Sequence, residues 1–211
     1  MFVRDCMTPD PITVRPESDP LAALNLLKAG KFRHLPVLDT GGQLVGIVER
    51  RDLELFLAQA GSPGVIKRQH FVRQVMTRHL ISVTPGCPLE EAADLMVQHK
   101  IGSLLVEEGG RLVGIITETD IFRQFAQVLG GGTDSLRLTV QVDDVPGQFA
   151  EVAGRVAEVA GNITSVVAYA AGEPGRINLT LRVEGADRRQ VLGAISGWKE
   201  IELLHDQDCK E

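Results

Sequence analysis

The side chains that could do chemistry are few and scattered. Five histidines (His34, His70, His79, His99 and His205) form no HxxxH or HExxH pair, so the helical spacing of a zinc hydrolase is absent. Cys6, Cys87 and Cys209 are odd in number and far apart, which gives neither a disulfide framework nor a thiolate zinc site. No Gly-x-Ser-x-Gly elbow and no strand-borne GxGxxG occurs. Gly130-Gly131-Gly132-Thr133 is not followed by Lys-Ser or Lys-Thr, so it reads as a flexible linker and not as a phosphate loop. Thr117 and Asp120, a hydroxyl and a carboxylate, stand three residues apart at a predicted helix start. Locally Thr117-Glu118-Thr119-Asp120 is nearly a capping box, which would merely begin that helix. The chain reads as a binder with no catalytic residue, no metal site and no bound cofactor.

Composition points the same way. At 211 residues and 44% hydrophobic content, the chain can fill one large domain or two ordinary ones. No apolar run approaches the ~20 residues that span a bilayer. The stretch from Met1 to Asp10 carries Arg4 and Asp5 and lacks the apolar core of an export signal. A cytoplasmic protein with reduced thiols and no membrane partner is expected. A net charge of −6 and 4% aromatics argue against nucleic acid, which rewards phosphate neutralisation and base stacking.

The elements that must position these residues come from an internal repeat. Val3-Arg4-Asp5-Cys6-Met7-Thr8 recurs as Val72-Arg73-Gln74-Val75-Met76-Thr77, an offset of 69. Gly41-Gly42-Gln43-Leu44-Val45-Gly46-Ile47 recurs from Gly109 to Ile115 at an offset of 68, which still holds from Asp52 to Asp120. Each copy predicts a short strand (Ile12 to Val14; Ile81 to Thr84) and then an amphipathic helix after Asp19-Pro20 or Cys87-Pro88, proline suiting the first turn. Two strands about a glycine turn follow (Leu35 to Leu38 and Leu44 to Val48 in copy one), with a second helix from near Asp52 or Asp120. The unit is β-α-β-β-α, and neither copy can bury its faces alone.

Met-Thr before a short strand, His34-Leu35-Pro36-Val37-Leu38-Asp39, and Gly114-Ile115-Ile116-Thr117-x-x-Asp120, in order and twice over, resemble the CBS motif. The resemblance covers about Met1 to Gln127 and is that of a tandem pair, or Bateman module. It implies two clefts between the copies that receive AMP, ADP, ATP or related adenosyl compounds. In copy two, Ile81 and Val83 would face the base, Asp120 would accept from the ribose hydroxyls, and Thr117 would donate to ribose or phosphate beside a helix N-terminus that favours anions. Copy one has Glu49 where Thr117 stands; this carboxylate would repel phosphate, with Arg50 and Arg51 adjacent to compensate and Asp52 left for ribose. Arg33 and His34 begin the second strand, where phosphate ligands often lie in this family, and copy two has Ile101 and Gly102 there. A solvated charge for Arg33 and a packed imidazole for His34 are the plainer readings. One sound cleft and one weakened or retuned cleft are expected.

Past the glycines the pattern alternates through Leu136, Leu138, Val140 and Val142, as a half-buried strand does. Asp143-Asp144-Val145-Pro146-Gly147 breaks it, and a helix carries Phe149, Val152, Val156 and Val159 to Gly161, placed for a left-handed cap. Strands Ile163 to Tyr169 and Ile177 to Val183, a helix from Asp187 to Ile195 and a strand from Ile201 to Leu204 complete a ferredoxin-like βαββαβ order. Asp144-Val145-Pro146-Gly147, a helix and Gly161-Asn162-Ile163 resemble an ACT domain. That resemblance implies an amino acid held at a dimer interface, with Asp144, Gly147 and Gln148 meeting the partner's Asn162 and Ile163.

The expected architecture is α/β (α+β), divided as 1–67 first CBS motif, 68–128 second CBS motif, 129–134 linker and 135–208 ACT domain. A CBS pair followed by an ACT domain and nothing else resembles acetoin-utilisation proteins of the AcuB type. The expected function is a regulatory, homodimeric ligand sensor acting on a protein partner the sequence does not name. The alternative is a structural adaptor whose ligand sites have decayed.

Overall fold

The computed structural model describes residues 1–59, 70–196 and 202–205. They form two units, Met1–Phe122 and Arg123–Glu211, and the division falls inside one helix. The boundary expected at residues 67 and 68, Cys209, Ile201 and the expected domain end at 208 lie outside the described residues.

In the first unit, copy one contributes β1 (Thr8–Pro9), α1 (Pro20–Gly30), β2 (His34–Leu38), β3 (Leu44–Glu49) and α2 (Arg50–Gln59). Copy two contributes β4 (Ser82–Val83), α3 (Leu89–His99), β5 (Ser103–Glu108), β6 (Arg111–Thr117) and α4 (Glu118–Val128). Asp19 starts α1 by accepting from the Leu21 N–H at 2.9 Å, with Pro20 in the first helical position. Copy two is displaced by one residue: Pro88 is itself the N-cap of α3, and the offset is still 69 here. The slip to 68 occurs in the hairpin turn. Copy two closes β5–β6 through Gly109-Gly110, both at positive φ, whereas copy one uses a longer loop held by Asp39 Oδ1, which accepts from the Gly41 and Gln43 N–H groups. Lys31 and Lys100 end α1 and α3 in the left-handed conformation (φ 55° and 54°). The strand expected at Ile12 to Val14 is absent: only Val14 bridges to Val37, and Ile12 is exposed.

The two copies exchange their N-terminal arms. Val3 N–H reaches the Cys87 carbonyl (2.9 Å) and Arg4 N–H that of Pro85, while Val72 N–H reaches Ser18 (3.0 Å) and Arg73 N–H reaches Pro16. Val3 is fully buried among Val83, Leu89, Met96 and Leu104 of copy two, and Val72 among Leu24, Leu27, Val37 and Leu53 of copy one. Strand β1 pairs with β6, Thr8 opposite Ile115, and Thr77 bridges to Ile47. Each arm's methionine lies over the other copy's hairpin glycine. A Cβ on Gly114 would stand 2.6 Å from Met7 Sδ and 3.2 Å from the Thr8 carbonyl, and one on Gly46 2.6 Å from Met76 Sδ. The Met-Thr and Gly-Ile halves of the motif are therefore two sides of one contact.

The second unit holds β7 (Leu136–Asp143), α5 (Gln148–Glu158), β8 (Asn162–Ala170), β9 (Arg176–Glu184), α6 (Arg188–Ser196) and β10 (Glu202–His205). The antiparallel sheet runs β10-β7-β9-β8, the ferredoxin-like order, with β8 at one edge. Leu138, Val140, Leu179 and Leu181 pack under Val152 and Val156 of α5 and Val191 and Ile195 of α6. The left-handed residue after α5 is Ala160 (φ 59°), not Gly161. Gly161 is needed for clearance instead, since a Cβ there would lie 2.7 Å from Val156 Cγ1 and 2.9 Å from Val183 Cγ1. The glycine segment after α4 is tied by Thr133 Oγ1 donating to the Gly130 carbonyl (2.8 Å) and by Arg182 donating to the carbonyls of Leu129 and Ser135.

Gly114→Ala overfills the arm contact and should cost roughly 1–3 kcal/mol in urea unfolding. Adding Met7→Ala should recover part of that loss. A G114A protein as stable as the parent would refute the arm exchange.

Candidate functional site

Two neighbouring cavities open on the first unit. One, of about 260 Å³, is mostly apolar, with Ile47, Leu80, Ile81, Ile101 and Leu105 around it and His79, His99, Thr77 and Ser103 at its polar points. The other, of about 360 Å³, is lined by Arg33, His34, Arg50, Arg51 and Lys100, with Glu54 and Gly102. Glu49 belongs to both. The segment from His99 to Ser103 serves both as well. His99, Ile101 and Ser103 face the apolar cavity; Lys100 and Gly102 face the cationic one. An apolar slot beside a ring of cations can take a flat, apolar ring system bearing an anionic tail.

The arm exchange decides which predicted residues meet. Thr77 pairs with Ile47, so the stretch that follows it, including Ile81, lies against copy one. The expectation that Ile81 and Val83 would wall one cleft with Thr117 and Asp120 is thus corrected. Ile81 faces Ile47 and Glu49, Val83 is in the copy-two core, and Thr117 and Asp120 line neither cavity.

Thr117 and Asp120 form the capping box. Asp120 Oδ2 accepts from the Thr117 N–H (3.0 Å) and hydroxyl (2.7 Å), and Thr117 Oγ1 accepts from the Asp120 N–H at 3.4 Å. Copy one cannot build this box, because Glu49 has no proton to donate. Glu49 Oε1 instead faces His34 Nε2 at 3.6 Å, and Asp52, partly exposed in the first turn of α2, makes no hydrogen bond or ion pair among the described residues.

Arg33 and His34 do meet at the cationic cavity, with the register corrected. His34 pairs with Glu49 as Ser103 pairs with Thr117, so the counterpart of His34 is Ser103, and that of Arg33 is Gly102. Arg33 Nη2 donates to Thr119 Oγ1 (3.3 Å). The His34 side chain is only 6% exposed and its Nδ1 has no hydrogen-bond partner. Burial lowers its pKa from the ordinary 6.5; Glu49 and Glu118 oppose this and Arg33 reinforces it. The sequence does not single out Lys100, His79 and His99 for a cleft, because only tertiary packing gathers them.

In the second unit a cavity of about 340 Å³ lies where β7 meets α5. Asp144 and Gln148 line it with Val142, Val145, Phe149, Val166, Ala168, Ile177 and Leu179. Gly147 (φ 98°) is the N-cap of α5, a conformation that glycine supplies without strain. Gln148 Oε1 is buried without a partner. Asn162 and Ile163 pair with Glu184 and Val183 at the far end of β8, so this chain does not bring them to Asp144 and Gln148.

The sequence matches the CBS domain family over residues 3–58 and 72–127, and the TTHA0829-like ACT domain over 131–196. Among solved structures, it is similar to a Vibrio cholerae protein described as an acetoin utilisation protein (AcuB), at 35% identity and a TM-score of 0.54 over 62% of this chain and 93% of that one. It is also similar to a CBS domain pair in complex with 5′-methylthioadenosine and S-adenosyl-L-methionine (30%, TM-score 0.53, 60% and 97% covered). A third similar structure is a CBS-pair protein in complex with AMP (32%, TM-score 0.51, 60% and 97% covered). Matches to inosine-5′-monophosphate dehydrogenases, such as that of Korarchaeum cryptofilum (38% identical), span 54% of this chain but only 22% of the enzyme. Among the described residues no helix is long and apolar enough to cross a membrane.

His34 gives the site a pH signature. With its folded pKa below 6.5, the unfolded chain binds the proton first as pH falls. Stability should drop below about pH 6.5 and level off once the folded imidazole also protonates. His34→Gln should remove that part of the pH dependence in unfolding midpoints measured from pH 7.5 to 5. An unchanged profile would show that His34 titrates alike in both states.

Proposed function

This chain belongs to the CBS domain family, as a tandem pair followed by an ACT domain, and from that premise we propose that it is a non-catalytic sensor of an adenine nucleotide or adenosyl compound. The observation that carries the reading is the pairing of an isoleucine- and leucine-lined cavity with a cationic one across Glu49. Adenine would occupy the apolar slot between Ile47 and Ile81, and the 5′ substituent would reach Arg33, His34 and Arg51. Asp52 lines neither cavity, but it stands beside Arg51 in the first turn of α2 with no partner of its own among the described residues, and it is the carboxylate that would accept from the ribose hydroxyls. The bound AMP, 5′-methylthioadenosine and S-adenosyl-L-methionine of similar CBS pairs support this ligand class. The site would thus lie between the copies, at the end of β3 of copy one. Thr117 and Asp120 could hold a second adenosyl group only by opening their capping box, at a cost of about 1 kcal/mol.

In the second unit, the loop of Asp144, Gly147 and Gln148 would take an amino acid, its side chain in the apolar cavity and Asn162 and Ile163 of a second subunit completing the site. The protein would act as a cytoplasmic homodimer. Ligand would shift it between arrangements only as far as it binds one better than the other. The similar Vibrio cholerae protein suggests acetoin utilisation as the setting.

A thermal-shift panel tests the reading. An adenosyl ligand at about 100 times its dissociation constant should add about 2.7 kcal/mol to stability if it binds only the folded state. Asp52→Ala should abolish that shift with the fold intact, whereas Asp120→Ala should lower stability by about 1 kcal/mol and keep the shift. Amino acids in the same panel test the ACT site. No response to any adenosyl compound would sink the sensor and leave a structural dimerisation adaptor.

A further inference from the structure

This inference rests on the adenosyl-sensor reading and narrows its ligand. The geometry points to an adenosine 5′-phosphate chain, di- or triphosphate ahead of monophosphate, as the occupant of the first-copy cleft, and against a sulfonium such as S-adenosylmethionine. Charge decides the matter. Four cations wall the cavity, Arg33, Arg50, Arg51 and Lys100, against the carboxylates of Glu49 and Glu54. Glu54 is already taken by Arg50 at 3.1 Å and Lys28 at 3.5 Å, and Glu49 faces His34. Arg33 reaches the neutral Thr119 hydroxyl, and Arg51 and Lys100 have no carboxylate in reach among the described residues. Three of the four cations therefore line the cavity with no ion pair of their own among the described residues, while Glu49 and Glu118 stand nearest His34.

His34 supplies a second, independent pointer. Its imidazole lines this cavity almost wholly buried, with Nδ1 unpartnered, although buried polar atoms are nearly always paired. With Nε2 turned to Glu49, protonation makes Nδ1 a donor, and a phosphate in the cavity favours that protonation. A sulfonium would place its positive charge among these cations, where like charges repel. Each added phosphate instead reaches another donor.

Isothermal titration of the full chain with ATP, ADP, AMP, adenosine, 5′-methylthioadenosine and S-adenosylmethionine tests the assignment, in the parent, Arg51→Gln and Lys100→Gly. Lys100→Gly removes a charge where the left-handed backbone suits glycine, so its melting temperature should not fall below the parent's. ATP and ADP should bind more tightly than AMP and at least roughly tenfold more tightly than the two ligands with no charge. Each variant should weaken ATP roughly tenfold, as loss of one charge-assisted contact does, and leave the affinity for 5′-methylthioadenosine where it was. S-adenosylmethionine binding as tightly as ATP, or variants that leave ATP unaffected, would overturn the phosphate assignment while the sensor reading stands. If no adenosyl compound binds, both fall together.

Discussion

Burial of each arm in the opposite copy is the constraint on which the first unit depends. Val3 and Val72 are fully buried, each in a core made otherwise by the other repeat. A fully buried valine contributes about 1.5–3 kcal/mol, a large share of the stability of a small domain. The exchange also shapes the cavity. It lays Thr77 and the residues after it beside β3, so the apolar cavity draws Ile47 from one copy and Ile81 and Ile101 from the other. Neither copy has that cavity alone.

The contrast between Thr117 and Glu49 then separates the two copies chemically. A threonine at the strand end closes a capping box with the aspartate three residues on, and both side chains are occupied. A glutamate at the same place cannot donate, leaves Asp52 unengaged, and turns to the buried His34. The residue that breaks the family pattern lines both cavities, each of which draws on the two copies. From sequence, Glu49 reads as a carboxylate that would repel phosphate, with Arg50 and Arg51 adjacent to compensate. The structure adds the buried His34 that faces Glu49, and gathers Arg51 and Lys100 at the same cavity.

Much of the fold was legible because its signals are periodic. The repeat offset, the helices after Asp19 and Pro88 and the alternation through Leu136 to Val142 each sum many weak preferences over a long window. The arm exchange was not legible, since β1 and β4 are two residues long and a strand that short carries no pattern. The one-residue slip was visible, but its place in the hairpin turn was not, which is why His34 was aligned with Gly102 and not with Ser103. Arg33 and His34, which line the cationic cavity, could be named from the motif, as could Asp52. Lys100 could not, because its role comes from the end of α3 meeting the end of β3 across the pair.

The arms also bear on how the chain emerges from the ribosome. The first repeat lacks part of its core until Val72 has been made, so it cannot finish folding while only its own residues have left the exit tunnel. The arm from Met1 to Pro9 is made before the second repeat that buries it, and its last residues wait for β6. Synthesis proceeds at about 5–20 residues per second, so this stretch and its apolar side chains stay uncovered for several seconds. The most ordinary-looking segment of the sequence is thus the one most in need of protection during its manufacture.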